Sequence, residues 1–182
     1  FIVTSNNQAT CLLPIIADVQ ETITPIEGSW NVYFDPRWGG PGKVVFDELI
    51  DWTVHADTGI RYYSGTAVYH KELNLAIPAQ NERLLLRFPR LGSLARVWVN
   101  GKEVVTVWCS PWEADITSYV HEGKNNLKIE VVNSLMNRMI GDASLPESER
   151  FTYAYPQIAT PTDKLVPSGI MEQLNLVYRQ CQ

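Results

Sequence analysis

Six tryptophans give this 182-residue chain its clearest chemical signature. An indole ring presents a flat apolar face, against which the C–H groups of a sugar ring can stack. Trp38 lies in PRWGGPGK, a segment too rich in glycine and proline for a strand, and Trp108 and Trp112 flank the bend CSP. We therefore predict Trp38, Trp108 and Trp112 as candidate carbohydrate contacts. Trp30 and Trp52 lie within or beside strand-like segments and are expected in the core.

The segment RYYSG, which begins at Arg61, adds polar and aromatic groups. The guanidinium of Arg61 could fork onto a sugar hydroxyl or carboxylate, and Tyr62 offers a ring face for a pyranose. Alternatively, the segment only begins a strand, and Gly65 allows a neighbouring backbone to approach. Both interpretations remain open at this point, and Arg61 and Tyr62 are retained as candidate binding residues.

A second polar segment, NSLMNRMIGD, follows the end of a predicted strand. Asn137, Arg138 and Asp142 could converge on a carbohydrate at the rim of a sandwich. They could equally form an internal Arg138–Asp142 pair that pins the long irregular stretch that follows. The sequence does not choose between the two, so all three are candidate binding residues.

The ionisable side chains do not form a recognisable catalytic or metal-binding pattern. A glycosidase needs two carboxylates about 5–5.5 Å or about 6.5–9.5 Å apart, and the acidic residues between Asp47 and Asp57 are typical of a solvated surface. The histidines have no neighbouring cysteine or HExxH context. We predict no catalytic residue, no metal ligand and no cofactor. A structural calcium ion held by loop oxygens is the one alternative left open.

Composition excludes several classes of function. Hydrophobic residues make up 45% of the chain and charged residues 19%, as expected for a globular domain. A net charge of −5 without a Lys/Arg cluster argues against a nucleic-acid partner. No apolar run approaches the roughly 20 residues of a membrane helix, so no membrane partner is expected. Cys11, Cys109 and Cys181 show no motif spacing and are interpreted as buried or incidental thiols.

The elements that position these residues are predicted to be strands. Apolar and polar residues alternate from Gly65 to Leu75, with Lys71 as the one exception on the apolar face. Asn100-Gly101 is the strongest hairpin signal, because a type I′ turn needs positive φ at both central residues. With the other alternating segments, about eight strands are predicted. One short helix is expected around EADITSYVHEG, capped by Asp115 and ended by Gly123.

These patterns predict an all-β fold, an antiparallel sandwich in one domain. The proline-containing stretch SLPESERFTYAYPQIATPTDKLVPSG interrupts the strands before the last one. Loops of that length are usually functional or packed against a neighbour.

Five segments carry a family resemblance, in this order along the chain: GSWNVYFDPRWGGPGKVVFDELIDWT, GIRYYSGTAVYHKEL, LARVWVNGKEV, PWEADITSYVHEGKNNLKIEVVNSLMNRMIGD and LVPSGIMEQLNLV. Together they resemble the galactose-binding-like sandwich domain of large glycoside hydrolases. The resemblance is to the sugar-binding domain of family 2 enzymes and, more closely, to the C-terminal region of bacterial family 106 α-L-rhamnosidases.

The resemblance implies a jelly-roll β-sandwich that serves as an accessory domain of a secreted or periplasmic enzyme, whose catalytic carboxylates lie in a separate barrel. Residues 1–25 would be a connecting segment and residues 26–182 the sandwich. The expected partners are the catalytic domain of the same polypeptide and an oligo- or polysaccharide. Three functions follow: a domain that packs against the catalytic barrel, an autonomous glycan-binding module and, least favoured, an independent glycosidase.

Overall fold

The computed structural model describes residues 20–154 and 158–180, which form a sandwich of two antiparallel sheets. The smaller sheet contains, in spatial order, β1 (Glu21–Pro25), β10 (Asn175–Gln180), β5 (Glu82–Arg87) and β8 (Glu113–Asp115). The larger sheet contains β3 (Gly42–Phe46), β2 (Trp30–Phe34), β4 (Thr66–Leu75), β9 (Gly123–Val132), β6 (Leu94–Val99) and β7 (Lys102–Val107). The predicted all-β antiparallel sandwich is confirmed.

Period-2 alternation placed the long central strand β4 correctly. Its residues Ala67, Tyr69, Leu73 and Leu75 are buried. Lys71, the predicted exception, is half-buried and donates a 2.9 Å hydrogen bond from Nζ to the Ser29 carbonyl. Burial lowers the pKa of this ammonium group.

The hairpin between β6 and β7 turns at Asn100 and Gly101, as predicted. Their φ angles are 52° and 78°, the left-handed values that a type I′ turn requires. The side chain of Asn100 also donates to the Tyr119 carbonyl, at 2.9 Å. The turn is therefore fixed both by its own backbone and by a neighbouring connection.

The predicted helix around EADITSYVHEG is wrong. Asp115 is the last residue of β8, and its carboxylate accepts from the backbone N–H and the hydroxyl of Thr117. That local turn competes with helical hydrogen bonding and leaves only a 3₁₀ turn at Thr117–Tyr119. Gly123, the expected stop, has φ +87° and begins β9.

Three strands were not predicted: β1, β3 and β8. β1 lies within the stretch interpreted as a connecting segment, residues 1–25, yet Glu21–Pro25 pair along their whole length with β10. These five residues are therefore part of the sandwich. Residues 1–19 of the connecting segment lie outside the described residues.

The core between the sheets is rich in aromatic side chains. Trp30 and Trp52 are both buried, as predicted. The ring of Phe34 lies 5.2 Å from that of Trp52 and 5.0 Å from that of Tyr63, both edge to face. Trp52 Nε1 donates a 2.7 Å hydrogen bond to the Tyr69 hydroxyl, so the buried indole is satisfied.

Two short α-helices occur at positions that the sequence did not predict. In α1 (Thr58–Arg61), the Asp57 carboxylate accepts from the Gly59 N–H at 2.7 Å and caps the helix. In α2 (Met136–Asp142), five of the seven residues are buried. No helix among the described residues is long and apolar enough to cross a membrane. Cys109 is an exposed free thiol, so of the two interpretations, buried or incidental, it fits the incidental one. Cys11 and Cys181 lie outside the described residues.

Candidate functional site

All eight predicted carbohydrate contacts lie at one end of the sandwich. Strands β2, β5, β7 and β9 run toward this end, because the antiparallel pairs place their last residues beside the first residues of β3, β10, β6 and β4. We call it the loop end. It is formed by α1 with the residues that lead into β4, and by the connections at residues 35–41, 88–93, 108–112 and 133–174. The topology therefore gathers residues that are far apart in the sequence.

Arg138 is the centre of a compact cluster at the loop end. Its guanidinium lies 5.9 Å from the centroid of the Tyr62 ring and 5.0 Å from that of Phe151. A Cβ atom on Gly141 would lie only 2.8 Å from one terminal nitrogen of Arg138, and a Cβ on Gly39 only 2.9 Å from the other. The two glycines thus make room for this buried cation.

Asp142 balances the charge of Arg138 from one helical turn away. Its Oδ1 lies 3.0 Å from Arg138 Nε, an ion pair without an aligned hydrogen bond. Burial lowers the pKa of Arg138, and the Asp142 carboxylate acts against that shift. The other oxygen, Oδ2, accepts from the backbone N–H of Phe151 and from both the N–H and the hydroxyl of Thr152. Of the two alternatives left by the sequence, the structure has the internal pair that pins the following stretch.

Asn137, five residues before Asp142, has a matching role. Its side-chain amide donates to the Val166 carbonyl at 2.7 Å and accepts from the Val166 N–H at 2.8 Å, a reciprocal pair typical of backbone recognition. Asn137 is fully buried. It therefore holds the far part of the β9–β10 connection against α2, just as Asp142 holds the near part.

The remaining predicted contacts are more accessible. Trp38 is 49% exposed at the end of a 3₁₀ turn, and Trp108 is 68% exposed. Trp112 is half-buried and packs against the core. Arg61 Nε donates to the His55 carbonyl at 3.0 Å, and Tyr62 is half-buried beside Arg138. Only Trp38 and Trp108 thus present a largely open indole ring, and their role as carbohydrate contacts stays a prediction.

Two of the acidic residues between Asp47 and Asp57 bind backbone N–H groups. The carboxylate of Asp51 accepts from the backbone N–H of Thr53 at 2.9 Å and of Ser168 at 3.1 Å, and Asp57 caps α1. Within residues 20–154 and 158–180, no three His, Cys, Asp or Glu side chains are grouped as metal ligands would be.

A second candidate surface, the outer face of the larger sheet, was not predicted from the sequence. Strand register aligns its outward side chains in two rows across five strands. One row is Val45, Asn31, His70, Lys128 and Trp98, and the other is Lys43, Tyr33, Val68, Glu130 and Arg96. Two adjoining open depressions of about 520 and 530 Å³ follow these rows and share Asn31 and His70. We call them together the sheet-face groove. Alternation marked its residues only as outward-facing, because the sequence does not show which strands are neighbours.

Comparisons with known proteins agree with the fold. Residues 15–179 match the family described as glycosyl hydrolases family 2, sugar binding domain. The structure of a rhamnosidase from Novosphingobium sp. PP1Y is similar over 97% of this chain and 16% of its own, with 30% identity and a TM-score of 0.82. A β-glucuronidase from Ruminococcus gnavus shares the fold over 87% of this chain and 28% of its own, with 22% identity and a TM-score of 0.62.

Among curated proteins, one of Formosa agariphila named "Putative beta-glucuronidase" is 39% identical over 123 residues, 66% of this chain. The chain spans only 11% of that relative and 16% of the rhamnosidase, so it corresponds to one part of much longer proteins. The family match covers most of the chain, including every strand but the last residue of β10. The chain therefore belongs to the sugar-binding domain family of glycosyl hydrolases family 2.

Proposed function

We propose that this chain is a non-catalytic accessory domain of a larger, α-L-rhamnosidase-like glycoside hydrolase, and that its loop end packs against the catalytic domain of the same polypeptide. The observation that carries the proposal is the match of almost the whole chain, at 30% identity, to 16% of a rhamnosidase. A domain of this size has no room for a (β/α)₈ barrel, which typically needs about 250 residues. The chemistry would then belong to the rest of that polypeptide.

The loop end has the surface expected of a domain contact. Leu135, Met136, Phe151, Tyr153 and Val166 all lie on the β9–β10 connection and are exposed, Tyr153 to 81%. Meanwhile Asn137 and Asp142 hold the backbone of this connection in place from below. A long connection that is internally braced and apolar outside is typical of a surface covered by a partner.

The same proposal includes location and substrate. A polysaccharide-degrading enzyme meets its substrate outside the cytoplasm, so we infer a periplasmic or extracellular setting. The rhamnosidase relative and the family resemblance favour rhamnose-containing glycans as the substrate of the whole enzyme. Neither a metal ion nor a cofactor is proposed for this domain.

The test uses the whole polypeptide with the exposed side chains changed. Leu135→Asp with Tyr153→Asp places two carboxylates on the loop end without removing a core contact. We expect the melting temperature of the whole enzyme to fall by several degrees and the junction between the domains to become sensitive to protease. The isolated 182-residue chain should melt as before.

The matched control is Ile77→Asp. Ile77 is 62% exposed in the β4–β5 connection, at the opposite end of the sandwich, and its substitution should change neither property. Equal melting of the Leu135/Tyr153 variant and the unmodified enzyme would contradict packing through the loop end. Hydrolysis of an aryl α-L-rhamnoside or aryl β-D-glucuronide by the isolated chain would contradict the non-catalytic role.

The sheet-face groove favours a second candidate function, an autonomous glycan-binding module. It lies on the broad face of the larger sheet and not at the loop end, so both functions can coexist in one domain. A domain could dock through its loops and still expose this groove.

A further inference from the structure

We propose that the sheet-face groove binds an extended glycan chain that carries carboxylate groups. The inference rests on the second candidate function above and is independent of packing through the loop end. Its basis is the coincidence, in one open groove, of an apolar floor, unused hydrogen-bonding groups and a lysine, Lys43, that forms no ion pair within the described residues.

The floor of the groove combines an aromatic ring with aliphatic side chains. Tyr33 lies between Lys43 on β3 and Val68 on β4, and Val45 lies two residues beyond Lys43 on β3, opposite Asn31. Tyr33 is 39% exposed and Val45 60%. A tyrosine ring flanked by valines offers a flat apolar surface with a polar hydroxyl, which suits the mixed character of a pyranose ring.

Several polar side chains in the groove have hydrogen-bonding capacity to spare. Within the part of the chain that the structure describes, the side chains of Asn31, Tyr33, His70 and Asn126 make no hydrogen bond, although all four line or border the depressions. The loop end differs, because Asn137 and Asp142 spend theirs on backbone groups. Free amide, imidazole and hydroxyl groups can both donate to and accept from sugar hydroxyls.

The charge of the groove opposes that of the whole chain. The depression around Tyr33 is lined by Lys43 and His70 and by no carboxylate. The adjoining depression adds Lys128, whose Nζ lies 3.1 Å from Glu130 Oε1, and the carboxylate of Glu72, which lies 3.0 Å from Lys124. The ammonium group of Lys71 is turned away from the groove, toward the Ser29 carbonyl. Lys43 is therefore the lysine of the groove that forms no ion pair within the described residues, and in a chain of net charge −5 it favours an anionic ligand.

The length of the groove indicates an oligomer. The row from Val45 to Trp98 crosses five strands, and neighbouring strands lie about 4.8 Å apart, so the row is roughly 19 Å long. At its far end, Lys128 Nζ lies 3.7 Å from the centroid of the Trp98 ring and covers one indole face. The stacking surface open to a sugar is therefore Tyr33, and Trp98 forms the end wall.

The experiment is affinity electrophoresis of the 182-residue chain in native gels that contain polygalacturonate or alginate, each compared with the same polymer after its carboxylates are reduced to alcohols. Retardation should be greater with the acidic polymers.

Lys43→Gln should weaken binding to the acidic polymers about fivefold, roughly the effect of one close charge pair at a hydrated surface. The same variant should leave binding to the reduced polymers unchanged. Tyr33→Ala should weaken binding to both forms about tenfold, because stacking does not depend on charge.

Two control variants locate the site. Lys164→Gln removes the same charge from an exposed position on the β9–β10 connection, and Trp38→Ala removes the exposed loop-end indole; both should bind like the unmodified chain. Absence of retardation by all four polymers would overturn the proposal, and so would loss of binding in Trp38→Ala with retention in Tyr33→Ala. Equal effects of Lys43→Gln and Lys164→Gln would overturn the preference for carboxylates. None of these outcomes alters the melting test of loop-end packing, so the two proposals fail separately.

Discussion

Arg138 and Asp142 face each other across one turn of α2, with Nε and Oδ1 3.0 Å apart and both side chains almost completely buried. Each member of the pair also contacts residues outside α2. Arg138 lies near the rings of Tyr62 and Phe151, and Asp142 accepts hydrogen bonds from residues 151 and 152. The ion pair thereby joins Tyr62, which follows α1, to α2 and to residues 151 and 152 of the β9–β10 connection.

We predict that Asp142→Asn destabilises the domain by about 3 kcal/mol, because it leaves a buried guanidinium without its counter-charge. Asparagine keeps the size of the side chain, so lost packing does not contribute. The free energy of unfolding is measured by urea titration. Glu72→Gln, which breaks the exposed pair with Lys124, should cost less than about 1 kcal/mol. Equal costs in the two variants would show that the Arg138–Asp142 pair has no special weight.

A second prediction concerns the buried hydrogen bond between Trp52 and Tyr69. Tyr69→Phe retains the ring but leaves the indole N–H of Trp52 without its acceptor. We expect a loss of about 1–3 kcal/mol in the free energy of unfolding, the cost of an unsatisfied buried donor. The control is Tyr178→Phe, because the hydroxyl of Tyr178 makes no hydrogen bond among the described residues. This substitution should cost little unfolding free energy.

Burial also raises the pKa of the Tyr69 hydroxyl far above its ordinary value. The absorbance change of tyrosine ionisation in the folded protein should therefore be the same for the unmodified chain and Tyr69→Phe up to about pH 11. A smaller change in Tyr69→Phe, with the protein still folded, would contradict the buried environment of this hydroxyl.

Local patterns predicted the central strands and the hairpin because these elements obey short-range rules. The alternation in β4 reflects one face on the core and one face outward, and Asn100-Gly101 reflects a turn that few other residues can make. The α2 helix follows no such rule. Asn137, Arg138 and Asp142 occupy its buried positions, so the apolar stripe that signals an amphipathic helix is missing.

The candidate sites could likewise be predicted only as far as short-range sequence rules reach. The sequence left open whether Arg138 and Asp142 contact a carbohydrate or pair with each other, and the structure shows the internal ion pair. The sheet-face groove depends on Lys43, Tyr33 and Val68 being neighbours across three strands, and this register is set by tertiary pairing. Outward-facing polar residues on a strand look alike in sequence whether they border a groove or only meet water.

A further prediction separates steric contact from backbone strain at glycine. Gly169 and Gly101 have similar φ angles, +83° and +78°, but a Cβ on Gly169 would overlap the indole of Trp52, whereas a Cβ on Gly101 would meet open space. Gly101→Ala should cost about 1–2 kcal/mol of unfolding free energy, the strain of a left-handed alanine. Gly169→Ala should cost about 1–3 kcal/mol more, because the core must shift. Similar costs of the two substitutions in urea titration would mean that the backbone at Gly169 can move away from the Trp52 indole without a free-energy cost.

The last prediction is a pH dependence at the edge of the smaller sheet. Glu21 on β1 lies 2.8 Å from Arg87 on β5, and Arg179 on β10 donates to it at 2.7 Å. The hydrogen bond from Arg87 lowers the pKa of Glu21, burial opposes the shift, and Arg179 adds to it. The pKa of this carboxyl is therefore lower in the folded than in the unfolded chain, where it lies near the ordinary 4.5. A depressed folded pKa means that the stabilisation by Glu21 is fully present above about pH 4.5 and disappears as the pH falls through the folded value.

The measurement is the difference in unfolding free energy between the unmodified chain and Glu21→Gln. We expect about 1 kcal/mol at pH 7, as for a favourable but partly exposed pair. The difference should shrink below about pH 4.5, because the protonated glutamic acid and glutamine are then nearly equivalent. The pairing of Glu21–Pro25 with β10 should loosen in the same range and show as faster amide exchange in β1. A difference that stays constant from pH 7 to pH 3 would mean that the arginines do not stabilise the charged form of Glu21.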